Sequence, residues 1–302
     1  MDEVNRIEQL KKERNAIILA HNYQRGDVQD IADFVGDSFG LSQKAISSGA
    51  DTIVFCGVDF MVESAAILNP EKTVLMPELS AQCPMAAMIT PGAINLEKEK
   101  YPDAAVVCYV NTPASVKAES DICCTSSNAI KVVNSLAEKE IIFVPDRNLA
   151  LYVAAHTQKK IIPWNGYCPT HHLILPGDVL LEKEEHPEAL VLVHPECRPD
   201  VVSLADKVLS TEGMLKYARL SAKSEFIIGT EIGLLHRLGK ENPDKTFIPA
   251  TRYAVCPNMK MNALQSIIHA LERNEHVIKV PEETGIKAKQ ALDRMLEVGR
   301  GD

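Results

Sequence analysis

Short runs of aliphatic and β-branched residues alternate along this chain with longer amphipathic stretches. Strands are predicted over 15–21, 51–56 and 72–77, and a helical pattern covers 28–47 between the first two. Strands that are apolar throughout and alternate with helices are typical of parallel sheets covered by helices on both faces. The pattern therefore predicts an α/β fold.

The same pattern repeats three times. The run Ile-Ile-Leu-Ala-His-Asn-Tyr at 17–23 resembles the runs at 105–111 and 190–196, which lie 88 and then 85 residues further along. The second strand, the third strand and the linking helix recur at nearly the same offsets. We expect three homologous three-layer αβα domains with parallel sheets, arranged with pseudo-threefold symmetry around a central cavity. Their predicted bounds are 1–90, 91–175 and 176–302, the last with an additional C-terminal helix over 281–298.

Composition and charge exclude several classes of partner. The 302 residues carry 32 basic and 41 acidic side chains, a net charge of −9, and no basic stripe with interleaved aromatic residues. Nucleic acid is therefore not an expected partner. No apolar run reaches the roughly 18 residues of a membrane span, so we expect a cytoplasmic protein without a membrane partner. In that reducing compartment the eight cysteines are not expected to form disulfides.

Three cysteines stand apart from the other five. Cys83, Cys168 and Cys256 occupy equivalent loop positions after the third strand of each repeat, and each precedes a proline. Threefold packing would bring these loops together, and converging thiolates favour zinc or an iron–sulfur cluster. Zinc would take a histidine as a further ligand, for which His171 or His172 is available. A [4Fe–4S] cluster on three cysteines would leave one iron free to act as a Lewis acid. The other five cysteines are interpreted as buried hydrophobic residues.

Polar side chains follow the first strand of each repeat. The three segments are His21-Asn-Tyr23, Tyr109-Val-Asn111 and His194-Pro-Glu196. Because parallel-sheet proteins bind ligands at the carboxyl ends of their strands, these side chains are expected to share one cavity. They supply the acids, bases and hydrogen-bond donors that carbonyl addition and dehydration require.

A hydroxyl near a predicted helix start follows each of these strand ends by about 15 residues. The three are Ser38, Ser126 and Thr211. One interpretation is helix capping; another is binding of carboxylate or phosphate groups, and the two are compatible. No glycine spacing typical of a dinucleotide or P-loop site is present.

Together these motifs resemble the quinolinate synthase family over essentially the whole chain. The most specific segments are 20–24 (Ala-His-Asn-Tyr-Gln), 30–38, 109–111, 125–128, 194–197 and 210–214. The resemblance implies a transferase that condenses iminoaspartate with dihydroxyacetone phosphate to quinolinate, with release of phosphate and water, in NAD biosynthesis. An aspartate oxidase or dehydrogenase would supply iminoaspartate.

The resemblance also implies roles for individual residues. Cys83, Cys168 and Cys256 match the family's [4Fe–4S] ligands, and Ser38, Ser126 and Thr211 match positions that bind carboxylate or phosphate. Active-site positions are matched by His21, Tyr23, Tyr109, Asn111, His194 and Glu196. Glu196 is the first candidate for a base, with the tyrosines as proton relays. Cys256 is followed by Pro257-Asn-Met259, so thiol–disulfide control is not expected there. Another [4Fe–4S] hydro-lyase and a non-catalytic iron–sulfur metabolite sensor are the alternatives.

Overall fold

Three parallel four-stranded sheets form the framework of the protein. The computed structural model describes residues 2–302. The strands are β1 (Ala16–His21), β2 (Phe34–Gly36), β3 (Thr52–Cys56) and β4 (Thr73–Leu75); β5 (Ala105–Tyr109), β6 (Ile122–Cys124), β7 (Glu140–Val144) and β8 (Lys160–Pro163); and β9 (Leu190–Val193), β10 (Lys207–Val208), β11 (Glu225–Gly229) and β12 (Thr246–Pro249). Each sheet has the same order, with its second strand at one edge and its first strand next to its third. The predicted α/β class with three αβα domains is confirmed.

The registers of the three sheets follow the repeat found in the sequence. The equivalent pairs between first and third strands are Ile18↔Val54, Val106↔Ile142 and Val191↔Ile227, which are separated by the same 88 and 85 residues. Sheet order and register therefore agree with three homologous units. The pseudo-threefold arrangement and the domain bounds 1–90, 91–175 and 176–302 stay predictions.

Helices connect the strands and cover the sheets. They are α1 (Glu3–Glu13), α2 (Gly26–Ile31), α3 (Ser38–Ser47), α4 (Asp59–Leu68), α5 (Pro91–Lys100), α6 (Ala114–Lys117), α7 (Ala129–Ser135), α8 (Arg147–Ala154), α9 (Pro169–His172), α10 (Pro176–Glu185), α11 (Pro199–Val202), α12 (Thr211–Leu220), α13 (Leu234–Glu241), α14 (Leu264–Arg273) and α15 (Glu282–Val298). None of these helices is long and apolar enough to cross a membrane.

One short strand of each sheet, β2, β6 or β10, was not predicted from the sequence, so the predicted second strands are β3, β7 and β11. The continuous helix expected over 28–47 is wrong, because α2 ends at Ile31 and α3 begins at Ser38 with β2 between them. The break has a local cause: the Asp33 carboxylate accepts a hydrogen bond from the Ile18 amide at 2.8 Å, which holds the chain beside β1. Asp121 and Asp206 make the same contact in the other two sheets.

The core consists mainly of strand residues that helices cover. Every residue of β3 and β5 is buried, as expected for strands with helices on both faces. The five cysteines interpreted as core residues are all buried, and four of them lie within strands. Because the strands are rigid and buried, the loops at their carboxyl ends have fixed starting points.

The C-terminal helices pack against the earlier units. α14 contacts α1 and β3, whereas α15 contacts α4, α6, α7 and β6. Between them, the Ile278 amide donates to the Val74 carbonyl at 2.9 Å beside β4. The final segment of the chain thus joins the first two sheets rather than extending the third.

Candidate functional site

The carboxyl ends of the three sheets line a single cavity of about 150 Å³. All of the side chains predicted from the sequence as site residues line it. They are His21, Tyr23, Ser38, Cys83, Tyr109, Asn111, Ser126, Cys168, His194, Glu196, Thr211 and Cys256. Their individual roles stay predictions, but the structure brings all of them together.

The three cavity cysteines share one local geometry. Each begins a short turn with its proline, and the backbone amide three residues later lowers the pKa of the thiol. These amides are those of Ala86 for Cys83, His171 for Cys168 and Met259 for Cys256. Burial nevertheless raises the pKa of all three thiols, that of Cys83 to about 12. Such sites hold a thiolate only when a cation replaces the proton.

The spacing of the sulfurs distinguishes two kinds of metal centre. Thiolates on one tetrahedral zinc ion lie about 3.8 Å apart, given a Zn–S distance of about 2.3 Å. Among residues 2–302, the three cavity sulfurs do not all lie within 4.8 Å of one another. A group of donors that does meet this distance consists of Cys168, His171 and Glu196. The three thiols are therefore not arranged as the ligands of one zinc ion.

Glu196 is the centre of a buried histidine network. Its Oε2 lies 3.0 Å from Nδ1 of His171 and 3.2 Å from Nδ1 of His194, and the two rings are stacked at 4.7 Å. Burial alone would raise the pKa of Glu196, but its contacts with His171 and His194 lower that pKa below its usual range. Burial lowers the pKa of His194. Glu196 is therefore ionised and His194 neutral near pH 7.

His171 connects this carboxylate to a phenol. Its Nε2 lies 2.8 Å from Oγ1 of Thr230, which is 2.6 Å from the hydroxyl of Tyr23. The pKa values of Tyr23 and Tyr109 are raised well above 10, first by burial and then by the charge of Glu196. Both phenols keep their protons and can donate hydrogen bonds.

His21 lies at the end of β1 and is buried, with 5% of its surface exposed. Burial lowers the pKa of His21 to about 4, so its ring is neutral near pH 7. Its Nδ1 accepts a hydrogen bond from the Tyr23 amide at 3.2 Å. The Nε2–H is then the donor that can reach a ligand.

Neighbouring residues, rather than the predicted hydroxyls, cap the helices. Asp37 accepts from the Gly40 amide at 2.8 Å, and Ser210 accepts from the Gly213 amide at 3.1 Å. Ser38 and Thr211 are the first residues of α3 and α12 and line the cavity instead. The capping interpretation of these hydroxyls is wrong, because the preceding residue performs that role.

Two buried oxygen atoms in the cavity have no hydrogen-bond partner within the described residues. They are Oδ1 of Asn111 and Oε1 of Glu196. Buried acceptors are nearly always satisfied, since leaving one unpaired costs about 1–3 kcal/mol. These atoms fit a site that is completed by a ligand carrying donors.

Sequence reasoning missed two members of this site. His171 was considered only as a zinc ligand, and Thr230 was not considered at all. Thr230 follows β11 directly, so its place at the carboxyl end of a strand was a usable signal. Its contacts with Tyr23 and His171 join all three repeats, and no pattern within one repeat indicates them.

Fold and site together define an α/β protein with a buried polar cavity, three thiols and an ionised carboxylate, which is the composition of an enzyme active site. The family model for quinolinate synthetase A protein matches residues 5–297. Quinolinate synthase of Methanosarcina barkeri is 59% identical over 295 residues, covering 98% of this chain and 97% of the relative. Quinolinate synthase of Thermodesulfovibrio yellowstonii is 58% identical over 294 residues, covering 97% of each chain. This chain belongs to the quinolinate synthase family.

Proposed function

We propose that this chain condenses iminoaspartate with dihydroxyacetone phosphate to form quinolinate, with release of phosphate and water, in NAD biosynthesis. The observation that carries the proposal is the single cavity that collects every predicted site residue in a chain of this family. The reaction forms a C–C bond and would make the protein a transferase. An aspartate oxidase or dehydrogenase in the same cytoplasm would supply the unstable imine.

The proposed cofactor is a [4Fe–4S] cluster held by Cys83, Cys168 and Cys256. The three thiols line one cavity, do not all lie within 4.8 Å of one another as ligands of one ion would, and each has a backbone amide that lowers its pKa. When bound, such a cluster supplies a Lewis-acidic iron without a protein ligand.

The remaining side chains bind the substrates and move protons. Ionised Glu196 offers its unpartnered Oε1 as a proton acceptor, and His171 provides a hydrogen-bonded route from that carboxylate towards Tyr23. The neutral phenols of Tyr23 and Tyr109 act as donors and relays.

The other predicted residues orient the substrates. His21 and His194 hold carbonyl or carboxylate oxygens, and the amide of Asn111 pairs with a donor on the substrate. Carboxylate and phosphate oxygens are received by hydroxyls beside the helix starts, those of Ser38, Ser126 and Thr211.

The single-ion alternative rests on Cys168, His171 and Glu196, whose donor atoms lie within 4.8 Å of one another. A zinc ion there would leave Cys83 and Cys256 without a role. It would also displace the contacts that His171 Nδ1 makes with Cys168 at 3.1 Å and with Glu196 at 3.0 Å.

Anaerobic purification followed by metal analysis and a product assay tests the proposal. We expect a brown protein with about four irons and four sulfides per chain. Incubation with iminoaspartate and dihydroxyacetone phosphate should yield quinolinate, measured by mass spectrometry. One zinc per chain would establish the single-ion alternative. An iron–sulfur protein that makes no quinolinate would favour the sensor or another hydro-lyase.

A further inference from the structure

A buried or half-buried carboxylate accepts a hydrogen bond from the backbone amide of each cavity cysteine. The Cys83 amide donates to Asp59 at 3.0 Å, the Cys168 amide to Asp146 at 3.1 Å, and the Cys256 amide to Glu231 at 3.0 Å. The three acceptors are separated by 87 and 85 residues, so they follow the repeat. They lie two or three residues after β3, β7 and β11, the third strands of the sheets. A rigid strand end is thus joined to each cysteine loop.

We propose that Asp59, Asp146 and Glu231 are positioning residues, which orient the three cysteine loops so that their sulfurs converge on the cluster. This inference rests on the proposed function, because it assumes the cluster. The hydrogen bonds that fix the cysteine loops do not depend on that assumption. Groups that orient metal ligands through a second contact typically change metal affinity by about 10–100-fold when they are replaced.

The three carboxylates use their oxygens differently. Asp59 accepts both of its backbone bonds, from Cys83 and from Phe60 at 2.9 Å, with the same atom, Oδ1. Asp146 divides them, because Oδ2 accepts from Cys168 and Oδ1 accepts from Leu149 at 2.8 Å. An amide side chain keeps only one acceptor oxygen.

Glu231 also uses both oxygens. Oε1 accepts from the Cys256 amide and Oε2 accepts from the Gly233 amide at 2.7 Å, while Lys260 Nζ lies 2.9 Å from Oε1 and 3.0 Å from Oε2. The pair with Lys260 leaves no oxygen free for an added NH₂ group. In Glu231→Gln the new NH₂ group must therefore face another N–H donor, whichever oxygen it replaces.

These contacts predict an order of effects for amide substitutions. Asp59→Asn can keep both hydrogen bonds through its remaining oxygen, whereas Asp146→Asn and Glu231→Gln must each lose one. Asp59→Ala loses both bonds at that position. Asp206→Asn is a matched control, because Asp206 accepts from the Val191 amide at 2.8 Å, near the start of β9 and away from the cysteine loops.

The test measures iron release to a chelator from the anaerobically purified holoprotein. Asp146→Asn, Glu231→Gln and Asp59→Ala should release iron about tenfold faster than wild type, and Asp59→Asn and the control should match wild type. Equal effects of the two Asp59 variants, or an effect of the control as large as that of Asp146→Asn, would overturn the inference.

Hydrogen exchange of the metal-free proteins separates this inference from the proposed function. The same three variants should exchange faster in the affected cysteine loop alone, with circular dichroism unchanged elsewhere. If wild type binds no iron, the proposed function fails, and the exchange order still supports or refutes the positioning role. Should one variant fail to fold, the other two decide the order.

Discussion

The neutral, buried ring of His21 should make the protein sensitive to mild acid. The pKa of His21 is about 4 in the folded chain and 6.5 when unperturbed. This difference can change the free energy of unfolding by at most about 3 kcal/mol. Because the folded pKa is the lower one, the unfolded chain binds the extra proton as the pH falls. Stability that is present above pH 6.5 is thus lost progressively down to about pH 4. From about pH 7 to about pH 5 the loss is about 2 kcal/mol.

The variant His21→Asn should remove this loss. Asparagine can place an acceptor oxygen near the position of Nδ1 and so keep the bond from the Tyr23 amide, but it does not titrate. Urea unfolding of the metal-free proteins at both pH values gives the two free energies. We expect wild type to lose about 2 kcal/mol more than the variant. His156→Asn, at an exposed position, controls for the loss of an imidazole as such. Equal losses in wild type and His21→Asn would refute the reasoning.

Three further predictions concern the proposed cluster, the proposed catalytic carboxylate and the fold. Alanine at any one of the three cavity cysteines should abolish cluster binding and quinolinate formation; full turnover by such a variant would contradict the ligand assignment. Glu196→Gln should keep its iron and sulfide content but lose catalysis, by about 100-fold or more in kcat, and unchanged kinetics would remove Glu196 from the mechanism. Gly166→Ala should destabilise the protein by about 1–3 kcal/mol, since its methyl group would lie 2.4 Å from the Pro145 carbonyl oxygen. Gly177→Ala, which meets no atom within 4 Å, is the control, and equal melting temperatures of the two variants would disprove the clash.

The sequence was sufficient to predict three of the four strands that recur in each sheet. The first strands end at His21 and Tyr109 in two repeats and one residue before His194 in the third, so equivalent positions along the chain became equivalent positions in space. A residue assigned in one repeat can be compared with the equivalent residues in the other two. The cavity residues could therefore be identified from a single sequence.

Two kinds of feature were not predictable in this way. β2, β6 and β10 are only two or three residues long, too short to show an alternating pattern. The aspartate just before each of them, Asp33, Asp121 or Asp206, decides where the strand pairs. Contacts between repeats are the second kind. The Tyr23–Thr230–His171 chain draws one residue from each third of the sequence, and only their distances reveal it.

The charges around the cavity indicate how a protein of net charge −9 could bind the two anions of the proposed reaction. The cations beside it are already paired, since Arg300 lies 2.8 Å from Asp37 and Lys260 lies 2.9 Å from Glu231. The cavity itself contains neutral donors, the phenols and the unprotonated rings of His21 and His194, together with backbone amides at helix starts. Anionic groups would therefore be held by oriented hydrogen bonds, which act at short range, rather than by a field of free positive charge. Because a hydrogen bond depends on direction and a field does not, such a cavity selects substrates by the placement of their oxygens. This explains why so many donors from three sheets converge there.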